Sequence, residues 1–500
     1  MESDKKQNHF FDTKDQATNL KKRSLRSGAV TLTSQGLIFL INIGSTMVLA
    51  RLLTPRDYGM ITMVAAITGF ARIFSDLGLS SATIQRADIN HMQISNLFWI
   101  NAGTGAVITM IVAAVSPAVA WFYKTPQLLS ITAVLSLNFL IIGLAIQHRA
   151  LLTRQMQFFT MAKIQIFSTL LGITVAVFMA MHGYRYWALV LNTLSVSACN
   201  VICFWFVCKW RPGLPQRKSG VRPMLRFGSD IAGFNIINYF SRNLDNILIG
   251  RYYGTLALGH YSKAYQLLML PIANLREPLN KVALPSLSRL QSEPEKYRSY
   301  YIKFISLLAF MSMPLVAFMF ACSENIIRLV LGSQWIGANE LFKILAFAAF
   351  IQPVLSTRGV VLLSTGQSRK YLWWGTGNAI VTTISFILGL PWGAKGVATA
   401  YATANYLLLY PSLFYVFKNS HLRVNDFFAA IYKPFTASLA MGIVCFLLQN
   451  SMKAGDDIFV LAICFVASLV VYLLAMVAVS GGTKDLREYY SYGRLAFTRK

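Results

Sequence analysis

Six basic side chains interrupt otherwise apolar runs: Arg72, Arg242, Lys263, Arg276, Lys281 and Arg358. Four acids share such surroundings: Asp76, Asp230, Asp245 and Glu277. A guanidinium offers a planar fork of donors to phosphate or carboxylate oxygens, and an ammonium offers a point charge. Carboxylates in the same setting are the groups that relay a proton or hold a sodium ion. Spacing gives some of these charges a partner. Arg72 and Asp76 are four residues apart, Glu277 and Lys281 likewise, and Arg242 and Asp245 three apart, so each pair shares one helix face. Lys263 is expected near the depth of Asp245 across a helical hairpin, and Asp230 close to a surface where it is solvated. Six bases against four acids leave a positive excess. Arg358 has no acid within several turns on its own segment, with Gly359 beside it and Gln352-Pro353 a turn or two earlier.

The elements that carry these residues follow from composition. The chain has 500 residues, 55% hydrophobic and only 13% charged, with mean hydropathy +0.51. Soluble chains carry about 25% charged residues, so a water-facing surface of this size cannot be built. The formal charge of +27 would suggest nucleic acid in a soluble chain. Here the basic residues fall in short gaps between apolar runs, which is the pattern of cytoplasmic loops, and no nucleic-acid partner is expected. At about 20 apolar residues per span, hydropathy predicts fourteen helices. They start near Ala29, Asp57, Ile94, Pro126, Thr160, Tyr186, Phe227, Ala257, Tyr301, Ala338, Tyr371, Gly396, Phe427 and Ile458. Pro117 and Pro126 bracket the least clear junction. Met1 to Arg26 is polar, without the pattern of a cleaved signal peptide. Lys and Arg concentrate on the side of the N-terminus, most densely in Lys209 to Arg226, so both termini are expected in the cytoplasm.

No gap between spans can hold a soluble catalytic domain, and Asp456-Asp457 reads as a solvated loop, so no enzyme activity is expected. No GxxxxGK[ST] motif is present, and no cofactor is expected. The six cysteines lie in or beside apolar segments and read as small buried hydrophobes. Cys199 and Cys203 share a helix face, but no metal site is expected from the scattered histidines. Trp121, Trp187, Trp210 and Trp373-Trp374 read as interface anchors.

The halves repeat weakly at an offset of 200 residues. Val48-Leu49-Ala50-Arg51 faces Leu248-Ile249-Gly250-Arg251, Gly59 faces Gly259, and Leu79 faces Leu279. Six helices per half give both repeats the same orientation, hence a pseudo-two-fold axis along the membrane normal. The fold class expected is an all-α polytopic membrane protein with 14 transmembrane helices: two six-helix lobes plus two extra helices. Its parts are a cytoplasmic tail (1–26), an N-lobe of helices one to six (27–211) and a basic linker (212–226). A C-lobe of helices seven to twelve (227–420), helices thirteen and fourteen (421–480) and a cytoplasmic tail (481–500) follow.

Leu49-Ala50-Arg51-Leu52-Leu53-Thr54-Pro55-Arg56-Asp57-Tyr58-Gly59 resembles the first-helix exit of the polysaccharide transporter family. Asp76-Leu77-Gly78-Leu79-Ser80 and Ile84-Gln85-Arg86 resemble its second-helix exit, and Ser241 to Arg251 its seventh-helix signature. Arg56 departs from a commonly acidic position. The resemblance implies the fold of the multidrug, oligosaccharidyl-lipid and polysaccharide exporter superfamily. It also implies a flippase in the bacterial inner membrane, moving undecaprenyl-pyrophosphate-linked oligosaccharide for surface polysaccharide assembly. A polysaccharide polymerase is the implied protein partner, and membrane lipid surrounds the chain. The cationic excess suits a diphosphate, since lost hydration must be replaced by donors. The cavity candidates are Arg358, Arg276, Arg72, Lys281, Arg242 and Lys263; the candidates for H+ or Na+ coupling are Asp76, Asp245 and Glu277. Asn42, Ser45, Thr46, Asn235, Asn238 and Asn246 either contact sugar or bind helices together. A multidrug or cation antiporter on the same fold is the alternative, and it would need unpaired acids instead.

Overall fold

The computed structural model describes residues 20–76, 79–85, 89–215, 222–452, 456–483, 485–489 and 491, with the side chains of 20–32, 72–73, 75–76, 82, 222–238 and 240–241 outside that description. The side chains of Arg72, Asp76, Asp230, Asn235 and Asn238 therefore lie outside it. Among the described residues there are helices and turns and no strand. Helices meet every backbone donor and acceptor internally, as lipid demands.

Ten described segments are long and apolar enough to cross a membrane. They contain eleven of the expected spans, because Ser368–Leu407 holds two of them. The spans expected near Asp57, Phe227 and Ala257 are helical but carry more charge: Pro55–Asp76 alone includes Arg56, Asp57, Arg72 and Asp76. Many large apolar side chains point outward, among them Leu40, Met110, Trp121, Phe178, Ile443 and Leu474. A surface this apolar belongs in lipid.

Chain packing divides the molecule into two compact units, Met1–Gly259 and His260–Lys500. The first holds α1 (Leu20–Leu52), α2 (Pro55–Asp76), α3 (Leu79–Gln85), α4 (His91–Tyr123), α5 (Gln127–Gly143), α6 (Ile146–Arg154), α7 (Phe158–Met181), α8 (Tyr186–Val207) and the start of α9 (Arg222–Arg289). Helix α4 packs on α5, α7 on α8, and α1 on α7. Helix α4 starts at a capping box, in which Asn90 accepts from the Gln93 N–H at 2.8 Å and Gln93 accepts from the Asn90 N–H at 3.3 Å. It continues through Pro117 and stops at Lys124, in the left-handed region.

The turn from α1 into α2 is local chemistry. The Asp57 carboxylate accepts from the Thr54 N–H at 2.9 Å and from the Thr54 hydroxyl at 2.6 Å, with Pro55 between them opening the helix. Proline suits that position because its missing N–H would be an orphan there. Helical geometry within α9 fails only at Gly254 (φ 77°, ψ −173°), a conformation that favours glycine; it persists through Pro271. Beside that break, α2 and α9 cross backbone to backbone. A Cβ on Gly59 would lie 1.9 Å from the Thr255 carbonyl oxygen, and one on Gly259 would lie 1.9 Å from the Pro55 carbonyl oxygen.

The second unit holds the rest of α9, then α10 (Pro294–Ala321), α11 (Ser323–Val330), α12 (Asn339–Leu355), α13 (Thr357–Ser364), α14 (Ser368–Gly389), α15 (Gly393–Leu407), α16 (Leu409–Phe417), α17 (Val424–Ser451) and α18 (Asp457–Ser480). Helix α10 packs on α17 and α12, and α17 packs on α18. Arg298 and Asp426 join α10 to α17 through a bidentate pair, Nε to Oδ2 at 2.9 Å and Nη2 to Oδ1 at 2.5 Å. Asp426 also accepts from the Arg423 N–H at 2.8 Å, so one carboxylate caps α17 and ties it to α10.

Each unit contains a span broken in the same way. In the first, α5 (17 residues) is followed by α6 (9 residues). In the second, α12 (17 residues) is followed by α13 (8 residues). The second break falls at Ser356, three residues after Pro353. Proline removes one helical donor and crowds the preceding turn, which makes a break there inexpensive.

Candidate functional site

Arg358 is the second residue of α13, placed just past this break. Two tyrosines of α10 hold α13 from one side: Tyr301 is 3.1 Å from the Thr357 hydroxyl, and Tyr297 is 2.8 Å from that of Ser364. The guanidinium donates from Nε to the Leu355 carbonyl at 2.8 Å and from Nη1 to the Ser412 hydroxyl of α16. It lies over the Trp374 ring of α14, 5.0 Å from the centroid. Arg358 is 7% exposed, and among the described residues it has no carboxylate partner. Two of the five N–H groups of a guanidinium are thus engaged by neutral acceptors, and three find no acceptor among the described residues. The positive charge is held in place but not neutralised. Such a group accepts an oxyanion without first breaking an ion pair.

The position has a counterpart in the first unit. His148 lies ten residues before α7 as Arg358 lies ten before α14, and Trp205 lies as far into α8 as Ser412 lies beyond the start of α15. His148 stacks on Trp205 with ring centroids 4.6 Å apart. Its ring is fully buried, and neither nitrogen has a hydrogen-bond partner among the described residues. One unit therefore carries a fixed guanidinium where the other carries a buried imidazole.

The remaining basic candidates differ in setting. Lys263 is 6% exposed and donates to the Gln266 carbonyl oxygen at 3.0 Å. Arg276 is half-buried and makes no hydrogen bond or ion pair among the described residues. Lys281 and Arg242 are exposed. Neither of the testable same-helix pairs forms. Glu277 and Lys281 are both exposed and unpaired, and Arg242 makes no ion pair with Asp245. Spacing brings such side chains within reach, but an exposed pair gains too little to fix two long chains. Asp245 is buried, and its carboxylate accepts from the Asn246 N–H at 2.8 Å. Asn42 is exposed, while Ser45 and Thr46 are half-buried.

Some side chains at the site were not visible in the spacing. Trp374, expected as an interface anchor, is instead the platform for Arg358. Trp210 is also no anchor: it is fully buried and donates to His91 Nδ1 at 3.0 Å. Ser412 sits on a different helix from Arg358, and no periodicity links them. Five of the six cysteines are buried, as small apolar side chains would be, and Cys203 is partly so; the Cys199 and Cys203 sulfurs are 3.9 Å apart on one face.

Comparison with known proteins agrees with this architecture. The chain is similar to the teichuronic acid biosynthesis protein TuaB of Bacillus subtilis (strain 168), 30% identical over 467 residues, covering 90% of this chain and 95% of that protein. It is similar to the lipopolysaccharide biosynthesis protein WzxC of Escherichia coli (strain K12), 26% identical over 355 residues, covering 70% and 71%. In fold it matches the lipid II flippase MurJ in an inward closed conformation, with TM-score 0.73 at 14% identity, covering 92% of this chain and 99% of that one. Residues 48–340 match the family described as polysaccharide biosynthesis protein. This multi-pass membrane chain therefore belongs to the polysaccharide biosynthesis protein family.

Proposed function

We propose that the protein is a flippase that carries undecaprenyl-pyrophosphate-linked oligosaccharide from the inner to the outer leaflet of the bacterial plasma membrane. It has fourteen spans: the ten apolar segments, with Ser368–Leu407 counted twice, together with α2 and the two parts of α9. Both termini are cytoplasmic, and the lobes are residues 27–211 and 227–420, joined by the basic linker 212–226. The lobes rock about a pseudo-two-fold axis, and residues 421–480 pack outside them. The crossing at Gly59 and Gly259 is then the outer seal between lobes. Helix seven meets α2 next to it, where the Tyr239 hydroxyl donates to the Ala65 and Ala66 carbonyls at 2.8 and 2.9 Å.

The observation that carries this reading is Arg358, a buried guanidinium held by neutral partners with donors to spare. In this reading it takes the diphosphate together with Arg276, Arg72, Lys281, Arg242 and Lys263. The sugar follows the head-group while the isoprenoid tail stays in lipid. Asp76, Asp245 and Glu277 are the groups through which H+ or Na+ drives the cycle. A polysaccharide polymerase consumes the product. A strain lacking the protein should accumulate the lipid-linked oligosaccharide in the inner leaflet, with its synthesis intact. Normal delivery to the outer leaflet in that strain would refute the assignment.

A further inference from the structure

Three cysteines from separate segments converge in the second unit, and the proposed transport does not use them. Cys322 joins α10 to α11, Cys445 lies on α17 and Cys464 on α18. Their exposures are 0%, 1% and 0%. The Cys322 and Cys445 sulfurs are 3.3 Å apart, and all three lie within 4.8 Å of one another. A planar three-sulfur unit with metal–sulfur bonds near 2.3 Å places its sulfurs about 4.0 Å apart, within the spread already present. Apolar side chains pack around the sulfurs, among them Ala321, Val460, Phe318 and Leu448, with the thioether residue Met452 on the same cluster.

Two further observations point to a ligand. The hydroxyls of Ser323 and Ser468 are buried and have no hydrogen-bond partner among the described residues. Ser323 follows Cys322, and Ser468 lies one turn beyond Cys464 on the same face. Buried hydroxyls without acceptors are costly, and a thiolate formed nearby would supply one. One turn from Cys445, a polar chain spans the same three segments. Gln449 donates to the Asn325 carbonyl oxygen at 2.6 Å, and Asn325 donates to the Asp457 carboxylate at 2.7 Å. The three segments are thus clamped just beside the thiols.

We propose that Cys322, Cys445 and Cys464 form a buried site for Cu(I). All-sulfur donors favour this soft ion, and the cluster contains no imidazole or carboxylate that would complete a tetrahedral zinc site. On binding, two thiols give their protons to water and ligate as thiolates while the third ligates as a neutral thiol. One Cu(I) then leaves a single net negative charge within the cluster. No oxidation state changes.

The test uses the full-length protein, reduced and kept anaerobic in detergent, and titrated with Cu(I) against a chromogenic Cu(I) chelator. One Cu(I) per chain should bind. Replacement of either Cys464→Ser or Cys322→Ser should weaken it by more than about tenfold, with Cys199→Ser unchanged. Size-exclusion profiles identify any variant that has merely misfolded, and X-ray absorption on the wild type should show only sulfur neighbours. Failure of the wild type to take Cu(I) from the chelator would overturn the proposal. So would equal binding by a well-folded triple variant, or a Cys322–Cys445 disulfide that persists in the reduced preparation.

Discussion

Gly59 and Gly259 make the same contact in exchange. Each backbone lies against the carbonyl of a residue four positions before the other glycine, Thr255 for Gly59 and Pro55 for Gly259. The two glycines are the pair matched by the internal repeat, so a weak sequence symmetry appears here as reciprocal packing. Nothing larger than hydrogen fits at either position unless the helices separate.

Gly59→Ala and Gly259→Ala should each destabilise this closed crossing by about 1–3 kcal/mol, the usual cost of overpacking. Because both act on one interface, the double variant should cost less than the sum. Thermal unfolding in detergent together with labelling of a cysteine introduced at Thr255 would measure this; additive losses with unchanged labelling would argue against a shared contact.

Asp426 should be a structural residue. Asp426→Asn keeps the shape but removes the charge that Arg298 grips and weakens the cap on α17. It should lower the melting temperature of the purified protein measurably, whereas Glu324→Gln, which removes an exposed partner of Arg328, should not. Equal melting of the two variants would contradict the role given to the bidentate pair.

The tyrosines of α10 should act through Arg358. Tyr301→Phe and Tyr297→Phe each remove one hydrogen bond that positions α13, worth about 0.5–1.5 kcal/mol. Transport should fall only a few-fold in each, with protein abundance unchanged. Loss as complete as that from removing Arg358 would mean the tyrosines do more than position it.

Much of this was legible in the chain, for identifiable reasons. Long apolar runs can only be helices in lipid, so the spans stood out, and Thr54-Pro55-Arg56-Asp57 is a helix start whose chemistry is entirely local. Arg358 stood out because a lone cation is conspicuous in an apolar run, and Pro353 marked the break that precedes it. What spacing alone did not reveal lies between helices. Arg298 and Asp426 are 128 positions apart, and the three cysteines of the thiol cluster come from a helix junction and two further helices. Spacing also overstated pairing: Glu277 and Lys281 are neighbours on one face, yet remain apart. Trp210 looks like an anchor by type and position, but its ring is buried and its N–H donates to the half-buried His91.

The proposed cationic chamber is tested most directly by transport in vesicles. Purified protein would be reconstituted with radiolabelled undecaprenyl-pyrophosphate oligosaccharide, and the rate at which the label reaches the opposite leaflet followed for wild type, Arg358→Ala and Arg328→Ala. A charge-assisted hydrogen bond is worth roughly 1.5–3 kcal/mol, so Arg358→Ala should be slower by about tenfold or more. Arg328→Ala, altered at an exposed surface pair, should match wild type. Transport by Arg358→Ala at the wild-type rate would contradict a diphosphate site at Arg358.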